Sequence, residues 1–364
     1  MLKINNAFAV FAVLFGFNHT LNAQKSITLS YLYGQMVPHT IYTEPLRATV
    51  NGFQLDADWD LMVERRANFL LKREKYTVRN IGLSLLYMNM GRLSTGKQFA
   101  AGLSLGASYP LTDKLGIRWR VVHGISYLTQ KYDSISNPIN LAISSNLNFY
   151  ANLNVELKYQ FTSKFGLNLG GSIVHASNGN WHKPNGGLNA FCMSGGLIYN
   201  PYGLTVSKHH LYRERRKFFA YPYSLGVKLA LRDHSLENRR KFAVWVFEAS
   251  YRVQKSNRNF WDFGVDLFND PLYFWDRQNR RTGLIIGQQY ELGLRVSHVF
   301  LFGRIGLRTD FGYYVLRPVN SKKTFYYNAF GLDYRLNQRV TLKNRIKAHL
   351  NDADYMEFGL SYLF

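Results

Sequence analysis

The alternation of apolar and polar residues with a period of two constrains the fold of this chain most strongly. Between positions 147 and 161 every second residue is apolar or aromatic, namely Leu147, Phe149, Ala151, Leu153, Val155, Leu157, Tyr159 and Phe161. The positions between them are polar, with Tyr150 as the exception. Successive side chains of a β-strand point to opposite faces, whereas a helix repeats about every 3.6 residues. The segment is therefore predicted to be a strand with two differently solvated faces.

The same alternation recurs in about fourteen to sixteen segments, which are separated by clusters of Asn, Asp, Gly, Pro and Lys. Most of these segments have about ten residues, the length of a tilted strand that crosses a bilayer. Aromatic residues such as Tyr221 and Tyr273 gather at the strand ends, where a membrane interface favours them. We therefore expect an all-β fold, a transmembrane antiparallel β-barrel of about 14 strands (range about 12–16), with residues 24–364 as its single domain.

Both ends of the chain indicate export to an outer membrane. Lys3, an apolar stretch at 7–17 and the small residue Ala23 predict a signal peptide over 1–23, cleaved after Ala23. The apolar positions of the last segment end on Phe364, which resembles the signal that the outer-membrane barrel assembly machinery recognises. We expect a bacterial outer-membrane protein with that machinery as a partner. Export argues against a nucleic-acid partner, despite the net charge of +22.

The single cysteine, Cys192, excludes a disulfide framework within the chain and a cysteine-based zinc site. The histidines form no convincing ligand set, and the predicted chemistry requires no metal and no cofactor, although Ca²⁺ stays open. Asp262 and Asp266 share the polar face of one segment, so we expect them in ion pairs within the barrel lumen.

Residues 173–189 depart from the regular sequence of strands and turns. The register of the strand that leads into them places His175 and Ser177 on its lipid face, about 6.6 Å apart along the strand. Polar side chains facing lipid are costly unless they have a function. An imidazole next to a hydroxyl is the arrangement of a base that activates a serine nucleophile. We therefore predict that His175 and Ser177 are catalytic, with a structural pair at the membrane interface as the alternative.

Neighbouring polar residues are able to complete such a site. Asn189 falls on the lipid face of the following strand, where it would accept a hydrogen bond from the imidazole and fix its tautomer. The backbone N–H groups of Gly179 and Asn180 and the side-chain amide of Asn185 are candidates for binding an oxyanion. These residues are also ordinary turn formers, so the loop alone has a purely structural explanation.

The order His-x-Ser-Asn, followed after five residues by Pro-Asn-x-Gly, resembles the lipid A 3-O-deacylase and acyloxyacyl hydrolase family of outer-membrane barrels. The resemblance implies an esterase with a Ser-His-acid triad on the outer barrel wall. The family's histidine and serine fall on His175 and Ser177, Asn178 matches the asparagine beside the serine, and Asn185 matches the residue that stabilises the oxyanion. The family's glutamate falls on Asn189, which orients an imidazole without stabilising its charge.

Length is a second departure, because this chain is about twice as long as the typical eight-stranded member. Segments 33–39 and 264–268 resemble longer members from Bacteroidetes-type bacteria. The resemblance implies an outer-membrane serine esterase that removes an ester-linked acyl chain from lipid A, with lipopolysaccharide as partner, and the basic surplus suits a phosphate-bearing substrate. The alternatives are a non-catalytic porin-like or lipopolysaccharide-binding barrel, and a phospholipase.

Overall fold

The structure, a computed structural model, describes residues 25–38, 40–68, 73–201, 221–235, 240–256, 259–273, 275, 289–317, 324–350 and 352–364. The predicted signal peptide lies outside these residues. No helix within these ranges is long and apolar enough to cross a bilayer.

The described residues form sixteen antiparallel strands and a short 3₁₀ helix, Ile41–Leu46, and residues 271–273 are also helical. The first eight strands are β1 (Lys25–Met36), β2 (Thr49–Asn68), β3 (Arg73–Asn89), β4 (Lys97–Pro110), β5 (Leu115–Leu128), β6 (Leu147–Gln160), β7 (Phe165–Ser177) and β8 (Leu188–Tyr199). The second eight are β9 (Tyr223–Asp233), β10 (Lys241–Ser256), β11 (Asn259–Asn269), β12 (Tyr290–Phe302), β13 (Ile305–Leu316), β14 (Tyr326–Arg335), β15 (Val340–His349) and β16 (Asp352–Leu363). The predicted fold class, an all-β antiparallel barrel, is confirmed, and sixteen strands lie at the upper end of the expected range.

The strands close as two barrels of eight, and not as the single barrel that we expected for residues 24–364. In barrel 1, β8 pairs back onto β1, with Leu29 opposite Leu197. In barrel 2, β16 pairs back onto β9, with Leu360 opposite Val227. The alternation of side chains is the same in a small and a large barrel, so it carries no information about which strand closes the ring.

Apolar side chains cover most of the outer wall of each barrel, because most outward positions among the described side chains are apolar. On β7, Leu167 and Leu169 are exposed while Asn168 and Ser172 face inward and are buried. On β11, Phe263 is exposed and Asp262 is buried. An apolar exterior on a closed sheet leaves no backbone group unpaired in hydrocarbon, so these walls suit a lipid environment.

The lumen of barrel 1 is filled in two different ways along its length. Near the C-terminal ends of β5 and β7, buried apolar side chains such as Leu86, Val122 and Val174 form a continuous cluster. Deeper in the barrel, the guanidinium of Arg118 pairs with Asp58 and with Glu156, each at 2.6 Å. An eight-stranded barrel is just wide enough for such side chains to fill it.

A larger network of buried charges fills barrel 2. Glu248 accepts from Lys228 at 2.9 Å and from Lys343. The expected lumen ion pairs are present, since Asp262 lies 2.7 Å from Arg308 and Asp266 lies 3.1 Å from Arg295. The aromatic rings of residues 268, 314, 327 and 355 pack above this network. Both interiors are therefore packed with side chains.

Loop lengths distinguish the two ends of each barrel. In barrel 1, the segments 90–96, 129–146 and 178–187 join strands at one end, which we call the site end, and the short turns 111–114 and 161–164 lie at the other. In barrel 2, twenty residues separate β11 from β12 and nine separate β13 from β14 at one end, whereas only 303–304 and 336–339 join strands at the other. Long loops on one side and short turns on the other are typical of outer-membrane barrels, with the long loops outside the cell.

The two barrels contact each other through their outer walls. Trp119 on β5 packs edge-on against Phe300 and Phe302, which lie at the C-terminal end of β12, with ring centroids 6.3 and 6.2 Å from that of Trp119. Halfway along the walls, His123 Nε2 lies 2.9 Å from Asn344 Oδ1 on β15. A polar residue on a lipid-facing stripe requires a partner, and these two outward-facing polar residues are partners of each other.

Candidate active site

The end of β7 brings His175 and Ser177 to the outer wall of barrel 1. The register of β8 places Asn189 directly opposite His175, and the register of β6 places Phe149 opposite Ser177. The intervening residue, Ala176, is buried in the lumen. Strand pairing therefore gathers an imidazole, a hydroxyl and an amide that are up to 14 residues apart in sequence.

The three polar groups form a continuous hydrogen-bonded chain. His175 Nδ1 lies 2.6 Å from Asn189 Oδ1, and His175 Nε2 lies 3.0 Å from Ser177 Oγ. The amide oxygen of Asn189 only accepts, so Nδ1–H donates to it and Nε2 is left to accept from the Ser177 hydroxyl. This tautomer is the one in which an imidazole serves as the base for a serine nucleophile.

The nucleophile candidate lies at the seam between the two barrels. Ser177 is only 2% exposed. A Cβ added at the nearby Gly179 would lie 3.1 Å from Met356 Cβ of β16 and 3.3 Å from the ring of Phe149. The Phe149 ring in turn packs against that of Phe358, with centroids 6.1 Å apart. Phe149 of barrel 1 thus lies opposite Ser177, and Met356 and Phe358 of barrel 2 lie next to Gly179 and Phe149.

A tight turn follows the serine. Trp181 N–H donates to the carbonyl of Asn178 at 3.3 Å, and the two residues between them have φ values of 64° at Gly179 and 63° at Asn180. Two successive positive φ values define a type I′ turn, for which Gly and Asn are the favoured residues. The Gly-Asn pair is thus required by the turn, and its glycine also permits the close approach of β16.

Hydrogen bonds of Asn178 stabilise the loop that carries the predicted oxyanion donors. Asn185 Oδ1 accepts from the backbone N–H of Asn178 at 2.9 Å. The side-chain amide of Asn178 donates to Ser144 Oγ at 3.1 Å and to the carbonyl of His182 at 2.9 Å. Because its carbonyl is engaged, Asn185 offers only its Nδ2 group as a donor to an oxyanion.

Asn180 makes contacts that the sequence did not indicate. Its side-chain amide donates to the carbonyls of Ala353 at 2.6 Å and Asp354 at 3.1 Å, at the start of β16. The side chain is therefore committed to barrel 2, and of Asn180 only the backbone N–H group stays a candidate for the oxyanion.

Sequence reasoning missed the residues of barrel 2 that touch this loop, among them Asp233 and Lys241. No local pattern marks them, because each lies at an ordinary strand end. It also missed Phe149, because an aromatic residue at an outward strand position is not distinguishable in sequence from the many other lipid-facing aromatics. Within the described ranges, no group of three or more His, Cys, Asp or Glu side chains is arranged to hold a metal ion.

The fold and this site together define a transmembrane β-barrel protein with an imidazole–hydroxyl pair on its outer wall. Two family models match its sequence. Residues 112–197, which include all of the predicted site residues, match the model described as lipid A 3-O-deacylase (PagL), and residues 217–364 match the one described as acyloxyacyl hydrolase, C-terminal domain. The resemblance of this chain to the lipid A 3-O-deacylase and acyloxyacyl hydrolase family is thereby confirmed.

The two matched ranges also explain the length of the chain, since the second match corresponds to barrel 2. Among solved structures, the outer-membrane enzyme PagL has a TM-score of 0.32 and 13% identity, over 46% of this chain and 97% of that one. Neisserial surface protein A has a TM-score of 0.31 and 10% identity, over 48% and 96%. Ail, the attachment invasion locus protein of Yersinia pestis, has a TM-score of 0.28 and 9% identity, over 49% and 99%. No curated protein matches the chain at the significance level applied.

Proposed function

We propose that this protein is an outer-membrane esterase that removes an ester-linked acyl chain from lipid A, with Ser177 as nucleophile and His175 as base. The observation that carries the proposal is the chain of hydrogen bonds on the outer wall, 3.0 Å from Ser177 Oγ to the imidazole and 2.6 Å from the imidazole to Asn189. The match of the surrounding residues 112–197 to the lipid A 3-O-deacylase model supports the substrate class.

The reaction divides into two steps. Ser177 Oγ attacks the ester carbonyl while its proton moves to His175 Nε2, and the imidazolium then protonates the departing sugar alkoxide. Water, whose proton moves to the same imidazole, then attacks the acyl-enzyme, the bond from the acyl carbon to Ser177 Oγ breaks, and the fatty acid leaves while His175 returns the proton to Oγ. Asn189 orients the ring as the acceptor of Nδ1–H, but it adds no charge to stabilise the imidazolium.

Charge develops on the carbonyl oxygen in both steps. The donors proposed to bind that oxyanion are Nδ2 of Asn185 and the backbone N–H groups of Gly179 and Asn180, all within the loop that follows the nucleophile. The hydrogen bond from Asn178 N–H to Asn185 Oδ1 fixes the orientation of the Asn185 amide before substrate binds. Donors that are already oriented stabilise an oxyanion without reorganising.

The position of the site suits a lipid of the outer leaflet. His175 and Ser177 lie at the end of barrel 1 that carries the long loops, which in outer-membrane barrels face outwards. The ring of Phe149, which lies opposite Ser177, packs against the ring of Phe358, and the two offer an apolar surface on which an acyl chain is able to lie. We propose that the substrate enters sideways from the bilayer and not through a lumen.

A porin-like channel is the alternative from another class. An eight-stranded barrel has a narrow interior, and buried side chains such as Arg118 in barrel 1 and Glu248 in barrel 2 fill it, which argues against a channel. A protein that binds lipopolysaccharide without catalysis is favoured by one observation, the amide of Asn189 where the family has a carboxylate. Conductance in planar bilayers distinguishes the first alternative, and turnover distinguishes the second.

The experiment compares the wild type with Ser177→Ala and with Ser172→Ala, a serine on the same strand that faces the lumen. Mass spectrometry of lipid A from expressing cells should show loss of one acyl chain with the wild type and Ser172→Ala, and none with Ser177→Ala. A fluorophosphonate probe should label the same two proteins. Identical lipid A in all three strains contradicts the proposal, and loss of an acyl chain from phospholipids alone indicates a phospholipase.

A further inference from the structure

Barrel 2 holds the turn that follows Ser177. Asn180 donates to two carbonyls at the start of β16, and its own carbonyl accepts from Asp233 N–H at 3.3 Å. Lys183 Nζ donates to the carbonyl of His234 at 2.9 Å. These contacts join the loop of barrel 1 to the ends of β9 and β16.

The carboxylate of Asp233 is the centre of this contact. It is fully buried, at 0% exposure, and accepts from the backbone N–H of Lys183 at 3.2 Å. Lys241 Nζ lies 2.7 Å from its other oxygen, and His182 Nδ1 lies 3.6 Å away. A buried carboxylate is stable only when donors surround it. Two of the groups around Asp233 belong to the loop of barrel 1, so the carboxylate and the loop fix each other.

Lys241 extends the contact to the middle of the turn. Its ammonium also donates to the carbonyl of Trp181 and lies 5.9 Å from the centroid of the Trp181 ring. A cation near an indole face is attracted to it. One lysine of barrel 2 thus bridges the buried Asp233 and the turn residue four positions after the nucleophile.

We propose that Asp233 of barrel 2 is a positioning residue for the active site of barrel 1. It acts through the 178–183 segment, which begins at the residue next to Ser177 and contains the two backbone N–H groups proposed as oxyanion donors, those of Gly179 and Asn180. Misplacement of reacting groups by about 1 Å costs about 10²-fold in rate. This inference rests on the proposed function, because positioning has a catalytic effect only if Ser177 reacts.

The test compares Asp233→Ala with Asp270→Ala in the full chain, purified in detergent. Asp270 is a matched control because it is equally buried at the same end of barrel 2 and pairs with Arg232 at 2.7 Å, inside that barrel. We expect Asp233→Ala to lower kcat for a soluble acyl ester at least about 10-fold with KM within about 2-fold, and to slow fluorophosphonate labelling equally. Asp270→Ala should leave kcat within about 2-fold of the wild type.

Hydrogen–deuterium exchange supplies a readout that does not depend on turnover. The amides of 178–183 should exchange faster in Asp233→Ala and at the wild-type rate in Asp270→Ala. Asp233→Asn keeps an acceptor for Lys183 N–H and should recover part of kcat. Equal kcat and equal exchange in the two alanine variants overturn the positioning role. A wild-type protein without turnover overturns the proposed function and, with it, the catalytic part of this inference. Faster exchange of 178–183 in Asp233→Ala would then still show that Asp233 stabilises this segment.

A second variant covers the case in which Asp233→Ala does not fold. Asn180→Gly removes both hydrogen bonds to β16 and keeps a residue that tolerates the positive φ of this position. It should lower kcat several-fold with KM nearly unchanged. Unchanged kcat in a folded Asn180→Gly protein, with unchanged exchange in the turn, likewise overturns the proposal.

Discussion

The two barrels of this protein share a plan of eight antiparallel strands but differ at one corresponding place. At the end of the seventh strand of barrel 1, His175 stands opposite Asn189 of the eighth. At the same place in barrel 2, Ile346 stands opposite Met356. The same pairing geometry thus presents polar, reactive groups in one barrel and apolar side chains in the other. The difference shows that the eight-stranded fold alone does not make the site, because the residues at this one place decide whether polar groups meet there.

The interiors differ as well. Below the site, barrel 1 is filled by aliphatic side chains such as Val174, and its charges lie deeper. In barrel 2 a network of buried ion pairs centres on Glu248 and Asp266. Close-packed aliphatic side chains support the end of β7 on its lumen side, whereas ion pairs fill the interior of barrel 2.

The largest effect is expected from removing the imidazole that distinguishes barrel 1 from barrel 2. His175→Ala removes the proposed base and should lower kcat by about 10³-fold or more, with little change in thermal unfolding, because the side chain lies on the outer wall. Leu294→Ala, an exposed residue on the outer wall of barrel 2, is the control and should leave kcat unchanged. Ester hydrolysis in detergent measures both, and equal activity of the two variants contradicts the assignment.

Next in size is the disruption of the charge network of barrel 2. Glu248→Ala leaves the ammonium groups of Lys228 and Lys343 without their shared carboxylate. Removing one partner of a buried ion pair costs about 3–5 kcal/mol of the free energy of unfolding, which urea titration in lipid vesicles measures. Glu44→Ala breaks an exposed pair with Arg47 and serves as the control, with no measurable change expected. A Glu248→Ala protein as stable as the control would refute a structural role for this network.

A smaller effect tests the seam between the barrels. His123→Leu leaves Asn344 without the imidazole that lies 2.9 Å away and should cost about 1–3 kcal/mol of the free energy of unfolding. The double variant His123→Leu/Asn344→Leu should recover most of the loss, since two apolar side chains suit a wall that faces hydrocarbon. Additive losses in this double-mutant cycle mean that the two residues do not interact.

The smallest effect concerns a loop at the site end of barrel 1. The backbone N–H groups of Ser136 and Ile135 donate to the Asp133 carboxylate and lower its pKa. A carboxyl with a lowered folded-state pKa stabilises the loop above its ordinary pKa of about 4, and the contribution is lost as pH falls through the lowered value. Amide exchange at 135 and 136, corrected for intrinsic pH dependence, should therefore rise below about pH 4, and Asp133→Asn should abolish this change. A wild-type profile in the variant would show that another group is responsible.

Much of the fold follows from local pattern. The alternation over 147–161 predicts a strand, which the structure confirms as β6, and the outward positions of β6 are the predicted apolar ones. Asp262 and Asp266 were expected in the lumen and are there. The number of barrels was not predictable, because closure depends on which distant strand pairs with β8 and β16, and every strand carries the same alternation.

The site divides in the same way. The spacing of His175 and Ser177 predicts that both lie on one face of a strand, and the structure places His175 Nε2 3.0 Å from Ser177 Oγ. The roles of Asn185 and of the backbone donors stay predictions. Nothing in the local sequence links Asp233 to the loop that follows Ser177, since the contact between them depends on how one barrel packs against the other.

The sequence by itself determined the strands, their lipid-facing sides and the group of polar residues on one of those sides. These properties depend on the period of two, which is local and acts within a dozen residues. Only the tertiary structure decided that the chain closes twice and that the second barrel holds the loop behind Ser177. Ring closure and barrel docking join residues far apart in sequence, and the energy of such contacts depends on geometry that no short pattern encodes.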